Sequence, residues 1–342
     1  MGASYNSSHF CSTGITAPAL QASLDREASN YMHRAYAAKT QATYSTHRRS
    51  YLSFCAYLGI NPIPANTRNL CQYAAVLARS LKYTSIKQYM NIVRIIHQEW
   101  SLPNPLENNY HLHCVLRGIR RSLGDTVSRK RPMEPSNLLR FLSKLDLSLI
   151  EDAAMWATML LLFFGILRVA SVLCPSSRCD HRRHVVNSDI SRSAGGLDVL
   201  VRHTKTIQFN ERSFSIPLPR SHGNPLCPVQ AIACYRRMAP RPISNDQPAF
   251  MLAENRPLTA PMFTGRIKTL LAEINLDPGI YAGHSFRRGG ATLAYRLDVP
   301  VDTIRQLGDW ASNSYTAYMF SDRPLVSKCI TRMVNGARAV PY

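Results

Sequence analysis

A histidine and an arginine in the second half of the chain have the types and the spacing to bind a phosphate. In the stretch HSFRRGGATLA, over 284–294, His284 and Arg287 are three residues apart, so a helix would present both on one face. Side chains arranged in this way can hydrogen-bond to one phosphate together. The pair alone is a weak signal because it arises often by chance, so its meaning depends on the residues around it.

Other residues that could act on a phosphate lie before and after this pair along the chain. Arg168 ends an apolar segment, and Lys205 lies in a predicted hairpin. Trp310 is followed eight residues later by Tyr318, with Tyr315 as a second tyrosine in the same segment, LGDWASNSYTAY. Each residue by itself has an ordinary explanation as a helix end, a surface charge or a core aromatic. Together, the order Arg, Lys, HxxR, Trp, Tyr over about 150 residues is a specific signal.

A different chemistry is offered by four thiol and imidazole side chains that lie within 11 positions of one another. They are Cys174, Cys179, His181 and His184. Zinc prefers such ligands, but the stretch that contains Asp180 and His184 resembles a connection into the sheet in the family that the ordered residues indicate, so no metal or other cofactor is expected. The nine cysteines contain no CxxC pair, which is typical of reduced, mostly buried thiols rather than of a disulfide framework.

The first 124 residues predict helices behind a Ser/Thr/Gly-rich lead over 1–17 that we expect to be disordered. Apolar residues recur at helical spacing behind Thr67 and Thr84, the expected N-caps, and again over 112–123. Basic side chains on the polar faces of the last two helices are predicted to bind DNA. They are Lys87, Arg94, Arg117, Arg120 and Arg121.

A linker is predicted over 125–133, where helical periodicity is lost and prolines follow. Beyond it, Ser148 and Glu151 form a capping box that opens an apolar helix running to about Leu173. The longest uncharged apolar run, 153–167, is 15 residues long, short of the roughly 20 that a bilayer requires. We therefore interpret it as a buried helix.

A small sheet interrupts the helices of the second half. Ile207 and Phe209 alternate with polar residues before a turn at 210–212, and Phe214, Ile216 and Leu218 do so after it, which predicts a β-hairpin. Further helices are predicted over 228–239, 261–275, 284–298, 300–308 and 312–320. The fold class expected from these patterns is mainly α with a small β-sheet.

Charge indicates the class of partner. The chain holds 41 Lys and Arg against 21 Asp and Glu, a formal net charge of +20. Residues 1–130 hold 15 basic and 5 acidic side chains, and residues 131–342 hold 26 and 16, so each part carries +10. An excess spread in this way predicts a polyanionic partner that contacts both parts of the chain, as a clamp on DNA would. No secretion signal or membrane anchor is expected.

The ordered set of residues resembles the tyrosine recombinase (integrase) family, and the match covers nearly the whole chain. The sequences HSFRRGGATLA and LGDWASNSYTAY are most similar to the corresponding segments of recombinases from eukaryotic mobile elements, of the crypton and DIRS-like kinds. The resemblance implies a helical core-binding (SAM-like) domain over 18–124, most similar from residue 40 onward, and an α+β catalytic domain over 134–322. Residues 323–342 would be a C-terminal tail.

The resemblance also implies catalytic roles for particular residues. Arg168 and Arg287 match the two arginines that clamp the phosphate, and Trp310 matches the position that holds His or Trp. The charges of Arg168 and Arg287 would stabilise the transition state of phosphoryl transfer without a metal ion.

Three further roles concern bond breaking and proton transfer. Tyr318 matches the nucleophile of the family, and Tyr315 is the alternative candidate for that role. Lys205 matches the hairpin lysine that protonates the leaving 5′ oxygen, and His284 matches the general acid–base of the family.

The implied function is site-specific DNA recombination, for mobile-element integration or excision, through a covalent 3′-phosphotyrosine. A type IB topoisomerase, which uses a similar residue set, and a catalytically silent DNA-binding protein derived from a transposon are the alternatives. The expected partners are double-stranded DNA and further copies of the chain, as a homodimer or homotetramer on synapsed DNA, and no membrane. A nuclear location is expected if the source is eukaryotic, and a cytoplasmic one otherwise.

Overall fold

A computed structural model of the chain describes residues 17–125, 129–209, 211–241 and 244–318. The side chains of Ser314, Ala317 and Tyr318 lie outside this description, as do nearly all of the predicted disordered lead and the whole predicted tail. The chain divides into two compact units, on either side of residue 127, and each is described by itself. The predicted domain bounds and linker remain predictions.

Helices make up the described part of the N-terminal unit. They are α1 (Ala17–Arg34), α2 (Ala38–Leu58), α3 (Thr67–Ala78), α4 (Tyr83–Glu99) and α5 (Tyr110–Leu123). The predicted N-caps were wrong by one or two residues. Asn66 caps α3, because its side chain accepts a hydrogen bond from the backbone N–H of Asn69 at 2.8 Å, which makes Thr67 the first helical residue. Lys82, rather than Thr84, precedes α4.

The apolar faces of α2 to α5 form one buried cluster, to which α1 contributes no buried residue. The most deeply buried side chains at its centre are Tyr51, Leu70, Tyr73, Ile86 and Val93. The cluster also encloses His97, whose two ring nitrogens meet the carbonyl of Val93 at 2.8 Å and the backbone N–H of Ala65 at 2.9 Å. Because both nitrogens are engaged, His97 stabilises the fold and is not available for chemistry.

The C-terminal unit combines helices with short strands. The helices are α6 (Pro135–Leu142), α7 (Ile150–Phe164), α8 (Val169–Val172), α9 (Pro228–Met238), α10 (Ala260–Glu273), α11 (His284–Arg296) and α12 (Val301–Leu307). The strands are β1 (Ile190–Ser193), β2 (Gly196–Val201), β3 (Phe214–Pro219), β4 (Met251–Leu252) and β5 (Arg256–Pro257). The described chain ends with a 3-10 helix, Asn313–Tyr318.

Helix α7 is the predicted buried helix, and residues 153–163 within it are all buried. It differs from the prediction at both ends. Ser148 forms no capping box with Glu151, because its hydroxyl and backbone N–H both donate to the carboxylate of Asp146. The helix also stops at Phe164 instead of continuing to Leu173, because Ile166 adopts a left-handed φ of 50°. Among the described residues, no helix has the length and apolarity that a bilayer crossing requires.

Strands β1, β2 and β3 form an antiparallel sheet in that order, with Val199 opposite Ile216. Strand β1 was not predicted. The predicted hairpin is partly wrong: β3 contains Phe214, Ile216 and Leu218 as expected, but it pairs with β2, and Ile207 and Phe209 lie in the connection after β2 instead of in a strand. Ile207 is buried and Phe209 is exposed. The connection leaves the sheet because its polar side chains bind elsewhere in this unit, as the next section describes.

Candidate active site

Helix α11 carries the histidine–arginine pair on its first turn, and two glycines set how deeply it enters the core. A Cβ at Gly289 would stand 2.0 Å from the carbonyl oxygen of Met133, and one at Gly290 would stand 1.9 Å from that of Phe163. Any side chain there would push the neighbouring backbones away. The glycines therefore allow the helix to approach the end of α7, where Arg287 is buried.

Arg287 is held in one orientation by groups from two distant parts of the chain. Its Nη1 donates to the carbonyl of Ile166 at 2.7 Å, and its Nη2 donates to the carbonyl of Gly308. Its Cζ lies 3.9 Å from the centre of the Trp310 ring, which is a cation–π contact. The left-handed turn at Ile166 is strained for a β-branched residue, and it presents that carbonyl to the guanidinium.

His284 lies in a strongly positive environment at the start of α11. Although part of its ring is exposed, desolvation by the surrounding protein and the charges of Arg287, Arg168 and Arg288 lower the pKa of His284 to about 4. The ring is therefore neutral at physiological pH and can accept or share a proton. The effect of the Arg168 charge on His284 indicates that Arg168, the N-cap of α8, lies close to the histidine–arginine pair.

Trp310 joins this group from the segment that follows α12. It is buried in a small cluster with Ile166 and Ile304, and a Cβ at Gly308 would collide with its ring. The ring of Tyr315 packs against the same cluster, 6.3 Å from that of Trp310. Tyr318 is the last residue of the 3-10 helix, and its side chain lies outside the described residues. The choice of nucleophile thus stays a prediction.

Lys205 is exposed in the connection between β2 and β3, and its neighbours fasten that connection to the segment that contains Trp310. The hydroxyls of Thr204 and Thr206 both donate to one carboxylate oxygen of Asp309, and Arg212 pairs with the other. Burial by itself would raise the pKa of Asp309, but these hydrogen bonds outweigh it and lower the pKa. Asp309 therefore acts as a charged anchor beside Trp310.

Sequence reasoning missed Asp309 and its threonine partners. Asp309 stands between Gly308 and Trp310 in the quoted LGDW stretch, and a lone acidic residue there gave a weak signal. Its left-handed φ of 49° was not foreseen either. Of the predicted catalytic residues, the structure brings four together: Arg168, His284, Arg287 and Trp310. The connection between β2 and β3, which contains Lys205 and is called the Lys205 segment below, is joined to them through Asp309.

The predicted DNA-binding residues occupy neighbouring helices of the N-terminal unit. Lys87 of α4 and Arg120 of α5 both approach the ring of Tyr83, at 6.0 and 5.7 Å from its centre. Arg117 and Arg121 share the exposed face of α5 with Arg120. We call these four basic residues the α4–α5 surface.

Arg94 differs from the other predicted DNA-binding residues. It is half-buried, and its guanidinium is engaged by the side chains of Asn91 and Gln98. It can contribute positive charge, but it is less accessible than the residues of the α4–α5 surface.

Comparisons with known proteins concern the chain as a whole. No protein-family model matches the chain. An integrase/recombinase XerD homolog of Selenomonas ruminantium is 22% identical over 323 residues, which cover 91% of this chain and 90% of that protein. Among solved structures, a variant of the Tn1549 transposon integrase in complex with a circular intermediate DNA matches with a TM-score of 0.62 and 16% identity, covering 89% of this chain and 97% of that one. A lambda integrase dimer bound to a core site matches with a TM-score of 0.58 and 15% identity, over 86% and 93% of the two chains.

The chain has the mostly helical fold, with a small sheet, of the tyrosine recombinases and integrases. Its similarity to the XerD homolog along nearly the whole length supports the same family.

Proposed function

We propose that the chain is a site-specific DNA recombinase that breaks and rejoins DNA through a 3′-phosphotyrosine. One observation carries the proposal: Arg287 is held in one orientation by two backbone carbonyls and the Trp310 ring beside His284, whose pKa is lowered first by desolvation and then by the charges of Arg287, Arg168 and Arg288. A site with this much fixed positive charge is suited to an anion. A phosphodiester gains negative charge as it is attacked, so preorganised guanidinium groups stabilise its transition state more than its ground state.

The cleavage step follows from the chemistry of these groups. The hydroxyl of Tyr318 attacks the phosphorus, its oxygen–phosphorus bond forms, and the bond from phosphorus to the 5′ oxygen breaks. Lys205 protonates the leaving oxygen, and neutral His284 accepts the proton of the tyrosine hydroxyl, because the negative charge of the bound phosphate offsets the arginine charges that lower the pKa of His284 before DNA binds. The phosphotyrosine conserves the energy of the broken bond, so a 5′ hydroxyl can reverse the reaction without a nucleotide cofactor.

Packing supports Tyr318 over Tyr315 as the nucleophile. The Tyr315 ring lies against the buried Trp310 cluster, where it stabilises the segment. A nucleophile must instead reach a phosphate outside the protein. Tyr318 is one 3-10 turn further on.

DNA binding is supported by the charge of both units. The α4–α5 surface supplies exposed basic side chains on adjacent helices, suited to phosphate contacts. The solved relatives include integrases in complex with DNA and a lambda integrase dimer, and we extend both features, DNA binding and self-association, to this chain. The HSFRRGGATLA and LGDWASNSYTAY segments favour a role in a eukaryotic mobile element, for its integration or excision.

The test is formation of a covalent protein–DNA adduct on nicked suicide substrates built from the DNA that flanks the gene. The wild-type chain and Tyr315→Phe should form the adduct in buffer without added metal, whereas Tyr318→Phe should bind the DNA and form none. The nucleophile assignment is wrong if Tyr318→Phe reacts and Tyr315→Phe does not. Strand transfer beside plasmid relaxation separates a recombinase from a topoisomerase, and no adduct from any variant would indicate a silent DNA-binding protein.

A further inference from the structure

The connection between α8 and β1 gathers three metal-ligating side chains. One ligand atom from each of Cys174, Cys179 and His184 lies within 4.8 Å of the other two. The two cysteines are paired as a disulfide, with 5.3 Å between their Cα atoms. Cys174 is buried, and the other two side chains are half-buried. The sequence expectation of a plain connection therefore needs revision.

Backbone hydrogen bonds fix both ends of this connection from outside it. The N–H of Ala260 donates to the carbonyl of Cys174 at 2.8 Å, and the N–H of Val185 donates to the carbonyl of Ser171 at 3.1 Å. These bonds hold Cys174 and the residue after His184 against the rest of the C-terminal unit. The ligand groups are thus brought together by a supported frame, as a metal site requires.

A helical turn then brings His184 towards the cysteines. The N–H groups of Arg183 and His184 both donate to the carbonyl of Asp180, at 3.0 and 3.1 Å. The Nδ1 of His184 meets the same carbonyl at 3.1 Å, which requires a proton on Nδ1 and leaves the lone pair of Nε2 for a metal. Histidine ligands of zinc are commonly oriented by such a hydrogen bond from the other ring nitrogen to a backbone carbonyl.

A disulfide accounts for only part of this geometry. It needs two cysteines, and it gives no reason for an oriented imidazole to stand beside them. Once the disulfide is opened, two thiolates and an imidazole whose ligand atoms lie within 4.8 Å of one another can reach one tetrahedral ion, with bonds of about 2.3 Å to sulfur and about 2.0 Å to nitrogen. Calcium and magnesium prefer oxygen ligands, so this donor set selects zinc.

We propose that, once a thiol reductant supplies the two electrons and two protons that open the Cys174–Cys179 disulfide, the protein binds a zinc ion through Cys174, Cys179 and His184, with a water at the fourth position. On binding, the two thiols lose their protons to solvent and become thiolates. The ion would brace the connection that begins directly after α8, whose N-cap is Arg168. This inference does not depend on the proposed recombinase activity.

The experiment measures metal on the full chain, purified with a reductant from zinc-supplemented cells and without DNA. Wild type should carry about one zinc per chain, and cobalt substitution should give the visible bands of a tetrahedral thiolate site. Cys179→Ser and His184→Gln should lose both signals. Cys234→Ser and His203→Gln are matched controls, because His203 lies near His184 but outside the three-residue group, and both should keep the metal.

Thiol counting and thermal unfolding supply independent readouts. After the reductant is removed under argon, denatured wild type with a chelator should present all nine thiols of the chain. A strong chelator should lower the Tm of wild type but not that of His184→Gln. A zinc-free wild type, equal metal in the variants and wild type, or a count two thiols short would each overturn the proposal. Because no DNA is present, failure here would leave the recombinase proposal untouched.

Discussion

Replacing Asp309 with asparagine tests how the Lys205 segment is positioned. The Asp309 side chain is 5% exposed and accepts hydrogen bonds from Thr204 and Thr206, while its partner Arg212 is 49% exposed. Asparagine keeps one acceptor oxygen and tolerates the left-handed backbone of this position, but it removes the charge and replaces the oxygen that pairs with Arg212 by an NH2 donor. The substitution thus tests the charged part of the anchor with little change in side-chain volume.

The size of the effect follows from these contacts. A hydrogen bond to a charged group contributes about 1 kcal/mol more than one to a neutral group, so the two threonine bonds account for about 2 kcal/mol. The ion pair with the half-exposed Arg212 adds only about 0.5 kcal/mol because water screens it. Asp309→Asn should therefore lower the free energy of unfolding by about 2–3 kcal/mol, measured by denaturant titration. Asp302→Asn, at an exposed position on α12, should change it by less than about 0.5 kcal/mol.

The same substitution should slow DNA cleavage by about tenfold or more, because Lys205 would lose its fixed approach to the leaving oxygen. A substrate with a 5′-bridging phosphorothioate needs no protonation of its leaving sulfur, so it should recover much of the lost rate. Lys205→Ala should be recovered in the same way. The reasoning fails if Asp309→Asn unfolds and cleaves like wild type, or if the phosphorothioate gives no recovery for either variant.

The remaining predictions concern charge. Arg168→Ala should reduce adduct formation by about 100-fold while DNA affinity changes little, because one transition-state donor is lost; a gel-based adduct time course beside a binding titration measures both. The folded pKa of His284, about 4, is below its unfolded value of 6.5, so its contribution to stability is complete above pH 6.5 and is lost as pH falls towards 4. His284→Asn should weaken this loss, and unchanged acid sensitivity in denaturant titrations at pH 7 and pH 5 would contradict the assignment. Lys87→Ala and Arg121→Ala should each reduce the slope of log K against log salt by about 1, whereas Arg26→Ala, on α1, should leave the slope unchanged.

Much of this protein was predictable from short-range sequence patterns. Helical periodicity located α3, α4, α5 and the buried helix α7, because a helix places residues three and four apart on one face. The sequence also provided the types and the order of the candidate catalytic residues, because a residue's chemical type does not depend on the fold. They are Arg168, Lys205, His284, Arg287 and Trp310. Helix ends were less predictable: Asn66 caps α3 in place of Thr67, whereas α4 and α7 begin without a side-chain cap hydrogen bond.

Tertiary structure decided how these residues are held. Arg287 binds a carbonyl 121 residues away, at a left-handed turn of Ile166 that interrupts an apolar run the sequence predicts as one helix. Thr204 meets Asp309 across 105 residues, and that contact draws the chain out of the predicted strand. Local propensity acts over a few residues, whereas such contacts are selected by the packing of the whole unit. The residue types therefore determined which chemistry is available, and only the folded chain decided which groups stand within reach of one another.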